Sequence, residues 1–173
     1  MSEVESKIFN HPILITGGAG FLGSHMVALC LEKKIDVVVI DNLSNSDLAN
    51  LQQLESHFKA TIPFFNIDIR DKDKLTQFFK SHQFSAVIHF AGLKSVAESV
   101  ANPDLYFENN VKGSQNIIDC INEHGVKNVI FSSSATVYGD PEYLPINEEH
   151  PVQPFNPYGE TKLIIETLLK WYS

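Results

Sequence analysis

Tyr158 and Lys162 stand four residues apart in PYGETKLIIETLLKW, a spacing that sets a phenol and an ammonium on one face of a helix. A neighbouring cation favours tyrosinate and draws the phenol pKa from ~10 toward neutrality. Tyr158 is therefore a candidate general base, and Ser134 of FSSSATVYG a candidate hydrogen-bonding partner for the same substrate hydroxyl. A tyrosine four residues before a lysine is commonplace, and a solvated helix face accounts for most of them. The weight of this pair depends on what lies upstream.

Upstream, ITGGAGFLGSH (15–25) carries Gly17, Gly20 and Gly23 in the spacing GxxGxxG, a variant of the dinucleotide fingerprint. Gly17 turns the chain out of a strand, Gly20 lets the backbone approach a pyrophosphate, and Gly23 packs the following helix on the sheet. The helix start then offers N–H groups and a positive dipole end to phosphate. Asp41 in VVVIDNLSNS sits where a second strand ends. A carboxylate there accepts the ribose hydroxyls of NAD and repels the 2′-phosphate of NADP, so NAD is the expected cofactor.

Short β-branched or aromatic runs position these groups: PILIT (12–16), DVVVI (36–40), TIPFFNI (61–67), AVIHF (86–90) and NVIFS (128–132). Each is nearly continuous in apolar residues, as parallel strands covered on both faces require. Helical periodicity lies between them, in Leu22, Met26 and Cys30, in Leu75, Phe78 and Phe79, and in Val111, Ile117, Ile118 and Ile121. Strand alternating with helix predicts an α/β fold, a doubly wound parallel Rossmann sheet in one domain over 1–173. Ligands of such sheets bind outside the carboxyl ends of the strands. The glycine loop, Asp41-Asn42, Asp68-Ile69, Ala91 to Lys94 and Ser132 to Ser134 all fall at such ends. The proline-rich, acidic stretch 140–157 reads as a surface loop.

The net charge of −8 gives no basic patch for nucleic acid. No apolar run approaches the ~20 residues that cross a bilayer, and the acidic start MSEVESKIFN is unlike a signal peptide. Cys30 and Cys120 lie far apart, each in a helical pattern and without metal-ligand spacing, which predicts two buried thiols, a reducing compartment and no metal. The expected location is the cytoplasm. His25 and His89 are expected to be packed or hydrogen-bonded rather than catalytic.

Taken in order, TGGAGFLGSH, DNLSNS, HFAGLKSVAESV, ENNVKGS, FSSSATVYG and PYGETK resemble the extended short-chain dehydrogenase/reductase family, and within it the 4-epimerases that interconvert UDP-glucose and UDP-galactose. The resemblance covers nearly the whole chain. It implies that Phe21 and Leu22, the stretch Asp41, Asn42, Leu43, Ser44, Asn45 and Ser46, and Asp68 and Ile69 near the adenine line an NAD site. Phe90, Ala91, Gly92, Leu93, Lys94, Asn109 and Ser132 join them. Ser134, Tyr158 and Lys162 match the catalytic trio, with Lys162 also gripping the nicotinamide ribose; Lys94, Ser134 and Tyr158 are matched to the UDP-sugar. The implied mechanism has tyrosinate 158 taking the 4′-hydroxyl proton while hydride passes to NAD. The 4-keto sugar then turns, and hydride returns to its other face.

Thr161 stands where serine is common in the family, with little effect expected. Dehydratases and decarboxylases of the superfamily carry an acidic residue where Ala135 and Thr136 stand here, which favours epimerisation. Family members run on past this chain's length into a lobe that holds the UDP-sugar. The expectation is thus the NAD-binding part of a longer enzyme, with little activity alone. Leu163, Ile164, Ile165, Leu168, Leu169, Trp171 and Tyr172 make the closing helix apolar around much of its circumference, and the resemblance implies a homodimer through this helix and the one spanning 104–123. Two alternatives stand beside this reading: a non-catalytic NAD-binding module, and another NAD-dependent sugar-nucleotide enzyme.

Overall fold

The computed structural model describes residues 9–172, so the acidic N-terminal stretch lies mostly outside the described residues. Five parallel strands form one sheet in the order β3-β2-β1-β4-β5. They are β1 Ile13–Thr16, β2 Val37–Asp41, β3 Phe64–Asn66, β4 Ala86–His89 and β5 Val129–Phe131. The helices are α1 Phe21–Glu32, α2 Ala49–Phe58, α3 Lys72–Ser81, α4 Val96–Ala101, α5 Pro103–Tyr106, α6 Gly113–Glu123 and α7 Pro157–Trp171. Ile13 pairs with Val37 on one side and Ala86 on the other. The strand order thus reverses between β1 and β4, the switch point at which doubly wound sheets bind ligands.

Two compact units make up the chain. One comprises the chain up to Ala91 with Asp119–Ser132; the other comprises Gly92–Ile118 with the chain from Ser133 on. The first contains the whole sheet. All residues of β1, β2 and β4 are buried, which is why these strands read as continuous apolar runs rather than alternating ones. One core cluster joins Ile13, Ile15, Val37, Val39, Ala86 and Ile88 to Val27 and Cys30 of α1 and Leu51 of α2. Cys30 and Cys120 are free, buried thiols, as expected.

Two elements depart from the sequence reading. β3 is confined to Phe64–Asn66 instead of spanning 61–67. Pro63 has no N–H for the ladder, and its carbonyl only accepts from Val39 N at 2.8 Å. α2 occupies a segment to which the sequence analysis assigns no helix, although Leu51, Leu54 and Phe58 recur there at helical spacing; Leu51 is its one fully buried residue.

In the second unit, the chain from α5 to α6 is helical almost without a break, but Phe107–Lys112 is wound as a π-helix. Such segments are rare and cluster at functional sites. α7 starts on an Asn-Pro signal. Asn156 caps it, with Oδ1 accepting from Gly159 N at 2.8 Å, and Pro157 takes a first-turn position. Of its apolar residues Ile165 is buried, whereas Trp171 is 82% and Tyr172 50% exposed. The stretch after the Ala135–Val137 3-10 turn is irregular, as predicted for a surface loop.

Candidate active site

In the first unit, the glycine turn leaves the end of β1. Gly17 has a φ of 69°, and a Cβ there would lie 2.7 Å from Ala91 N. Glycine satisfies both the backbone twist and the close approach of the β4 end. A Cβ on Gly23 would run into the Gly17 carbonyl oxygen, so α1 can start directly on the turn. α1 has no side-chain cap at Gly20, whereas α3, α4 and α7 are capped by Asp71, Ser95 and Asn156. Phe21 and Leu22, 67% and 55% exposed, flank this uncapped start.

Asp41, buried at the end of β2, ties the turn to the next loop. Its Oδ2 accepts from Ala19 N at 3.0 Å, and its Oδ1 from Leu43 N at 2.9 Å and Ser46 Oγ at 2.8 Å. A carboxylate offers about four lone pairs, so one on Oδ2 is left for a ligand hydroxyl. The sequence reading gave Asp41 to the ligand alone. The same loop holds Leu43 at a φ of 56°, a conformation uncommon for a branched side chain and stabilised here by the Asp41 bond.

Asn42 Nδ2 donates to Asp68 Oδ2 at 3.0 Å. Asp68 also receives the Arg70 guanidinium, Nε at 2.9 Å and a terminal nitrogen at 2.7 Å. The Arg70 side-chain bonds hold the Asp68 carboxyl well below the usual carboxylate range. Next to the turn, an open groove of about 450 Å³ is lined by Gly20, Phe21, Ser24, His25, Asn45, Ser46, Asp47 and Asn50. Among the described residues no lysine or arginine lines it, and uncapped N–H groups, serines and a neighbouring carboxylate suit a diphosphate with a free ribose better than a 2′-phosphate.

Asn50, absent from the sequence reading, fixes the turn from outside, its Nδ2 donating to Ala19 O at 2.8 Å. His89 is buried against Thr16, Nδ1 to Oγ1 2.5 Å, and Thr16 Oγ1 accepts from Ala91 N at 3.2 Å. His25 is held by the Phe21 carbonyl and ring. Both histidines are thus bonded, as expected. Ser132 N donates to His89 O at the end of β5, and Phe90 N to Thr16 O. Ile69 is buried behind Asp68, while Ser44 and Asn45 are exposed.

In the second unit, Tyr158 and Lys162 lie on α7, and the Lys162 ammonium is 5.8 Å from the Tyr158 ring centre. Lys162 is only 5% exposed. Burial pulls its pKa from 10.5 down to about 8, against the field of the Glu166 carboxylate one turn on. The ammonium also comes within 3.9 Å of where a Cβ on Gly92 would stand. Tyr158 N donates to Ser99 Oγ at 3.2 Å, and the Tyr158 ring meets Tyr106 edge-on at 6.4 Å. Tyr106 is wholly buried; its hydroxyl donates to Glu98 Oε2 and accepts from Ser95 N. Burial, with help from Glu98, pushes its pKa up to about 12, so beside Tyr158 it stands as a protonated packing partner.

Ser134 Oγ accepts from Thr136 N at 3.3 Å and Thr136 Oγ1 at 2.9 Å; neither bond uses the seryl proton, which stays available to donate. Lys94 is exposed. Asn109 is buried, and its Nδ2 donates to Asn110 Oδ1. Asn110, which the motifs do not single out, organises the loop. Its Oδ1 accepts from Leu93 N at 2.8 Å, and its Nδ2 donates to Leu93 O at 2.9 Å and Thr161 Oγ1 at 3.2 Å. Thr161 Oγ1 in turn donates to Tyr158 O at 2.7 Å, a bond that a serine hydroxyl makes equally well. The adjacent pair in ENNVKGS is the signal for Asn110, but only the π-helical winding shows which asparagine holds the loop.

A model of the family described as GDP-mannose 4,6 dehydratase matches residues 14–173. The chain belongs to this family. Among curated proteins, it is 49% identical over 161 residues to UDP-glucose 4-epimerase 1 of Oryza sativa subsp. japonica, covering 91% of this chain and 46% of that protein. It is 44% identical over 158 residues to the UDP-glucose 4-epimerase of Bacillus subtilis (strain 168), covering 91% and 47%. Among solved structures, it superposes on the UDP-glucose 4-epimerase from Bifidobacterium longum, in complex with NAD+ and UDP, with a TM-score of 0.89 and 42% identity over 92% of this chain and 48% of that one. On the UDP-Glc/GlcNAc 4-epimerase from Campylobacter jejuni the TM-score is 0.91 at 36% identity, over 95% and 49%. As a member of the GDP-mannose 4,6 dehydratase family, the chain spans about half the length of these relatives.

Proposed function

We propose that residues 1–173 are the NAD-binding part of a UDP-glucose 4-epimerase, inverting C4 of the sugar between UDP-glucose and UDP-galactose. The observation that carries the reading is the buried Lys162 ammonium one helical turn from Tyr158. A buried cation beside a phenol lowers the cost of phenolate, and the phenolate oxygen can take the proton of the sugar 4′-hydroxyl. The Ser134 hydroxyl, with its proton uncommitted to Thr136, donates to the same substrate oxygen. NAD, when bound, supplies reversible hydride chemistry with no net redox change. The glycine turn, Asp41 and the groove beside them hold the dinucleotide, with Asp41 Oδ2 accepting from the ribose; Asn110 fixes the Leu93 backbone.

The family description names a dehydratase, but elimination needs an added acid–base group. Ala135 has no ionisable group, and the Thr136 hydroxyl is spent on Ser134, which favours epimerisation. The same reading includes a homodimer through α7 and the helical stretch 104–123, supported by the exposure of Leu105 at 40% and Phe107 at 39%.

Assayed as the complete gene product with NAD present, the enzyme should form UDP-glucose from UDP-galactose, and Tyr158→Phe should lower kcat by about 10²–10⁴. The 173-residue chain alone should bind NAD with little or no turnover. A complete protein that binds NAD yet inverts no UDP-sugar would remove the proposal.

A further inference from the structure

Glu166 has no part in the scheme above, yet its placement is specific. It follows Lys162 by four residues on α7, so the two side chains share a helix face. It is half-buried, and its Oε1 accepts a hydrogen bond from Ser133 Oγ, a residue thirty-three positions upstream. A carboxylate on a solvated helix face has no such tether.

The other charged groups on elements packed against α7 are committed or turned to solvent. Glu98 of α4 accepts from Tyr106, Glu108 of the π-helical segment pairs with Lys112, and Asp104 of α5 is exposed. The 3-10 turn Ala135–Val137 has no ionisable side chain. On α7 itself, Tyr158 faces Lys162 from the preceding turn and Glu166 from the following one, and the exposed Lys170 stands one turn beyond Glu166.

We propose that Glu166, anchored by Ser133, is the counter-charge of Lys162 and a positioning residue for the Tyr158–Lys162 pair. The inference rests on the proton-handling role given to that pair. Burial disfavours the ammonium, and the field of Glu166 is the charge that opposes this. Near neutral pH a fixed anion one turn away keeps the lysine cationic, and only a cationic lysine can stabilise tyrosinate. Ser133 matters because a tethered carboxylate stays beside Lys162 instead of rotating into water.

The test is an NMR titration of the Lys162 side-chain nitrogen in the ¹⁵N-lysine-labelled chain, assigned by Lys162→Arg and run without NAD or sugar. Glu166→Gln should lower the Lys162 midpoint by about one pH unit. Ser133→Ala, which frees the carboxylate without removing it, should lower it by less. A midpoint that does not move, or that rises, in Glu166→Gln overturns the proposal. If Glu166→Gln does not fold, Ser133→Ala carries the test, and an unmoved midpoint there overturns it. The titration needs no turnover, so a failure of the epimerase reading, seen as full activity in Tyr158→Phe, leaves this result separately legible.

Discussion

Replacing Lys162 by methionine keeps most of the side chain's volume and removes its charge, so the variant measures what burying that ammonium costs. In the fold its pKa falls from 10.5 to about 8, chiefly through burial. At 1.36 kcal/mol per pH unit, this is a penalty of about 3 kcal/mol on the charged folded form. The folded value lies below the unfolded one, so between about pH 8 and 10.5 the unfolded chain holds more protons than the folded chain. Wild-type stability from this group therefore rises with pH across that window. At pH 7 both states are protonated and the whole penalty stands; by pH 10 about 2.5 kcal/mol of it is relieved. Lys162→Met has no such group and gains nothing from the same change. Urea denaturation of the two proteins at pH 7 and pH 10 should show the variant more stable at pH 7, by up to about 3 kcal/mol, with the gap narrowing by about 2.5 kcal/mol at pH 10. Titrating groups remote from Lys162 are common to both proteins and cancel. A stability difference that is the same at both pH values would refute the claim that this lysine is held against its burial. Stability gained where function is lost is the usual trade at a residue with the role proposed for Lys162.

Asn110→Ala should destabilise the chain by about 2–4 kcal/mol, measured by thermal or urea unfolding, because it strands the part-buried Leu93 N–H and C=O and the buried Asn109 amide; a loss under about 0.5 kcal/mol would contradict the role given to it. Asp68 has a folded pKa below its ordinary value, so its contribution is present above the unfolded pKa and is lost as pH falls through the folded one. Asp68→Asn should accordingly make the stability curve flatter below pH 4, and the effect should shrink in high salt because Arg70 is 44% exposed.

The three central strands were readable because they are buried on both faces, which leaves continuous apolar runs; the edge strands β3 and β5 are only partly buried. The glycine turn was readable because Gly17 and Gly23 answer to local geometry: a positive φ, and a carbonyl where a side chain would sit. Contacts made at long range were hidden. Nothing in the sequence near Tyr158 marks Tyr106, Ser99 or Asn110 as its surroundings, since folding alone brings positions fifty to sixty residues apart together. Asp41 was recognised by its place at a strand end, but its three protein hydrogen bonds depend on loop closure that spacing does not encode. α2 carries Leu51, Leu54 and Phe58 at helical spacing and so was legible in the sequence, although only Leu51 is fully buried.

Dinucleotide choice tests the account most directly. Titrating the chain with NAD and with NADP while following thermal unfolding compares the two cofactors at the Asp41 carboxylate. At a hundredfold excess over Kd, NAD should stabilise by about 2.7 kcal/mol, a rise in Tm of several degrees, while NADP at the same concentration should shift it little. An NADP shift as large as that of NAD, or no shift with either, would contradict the assignment of the glycine turn and Asp41 as an NAD site.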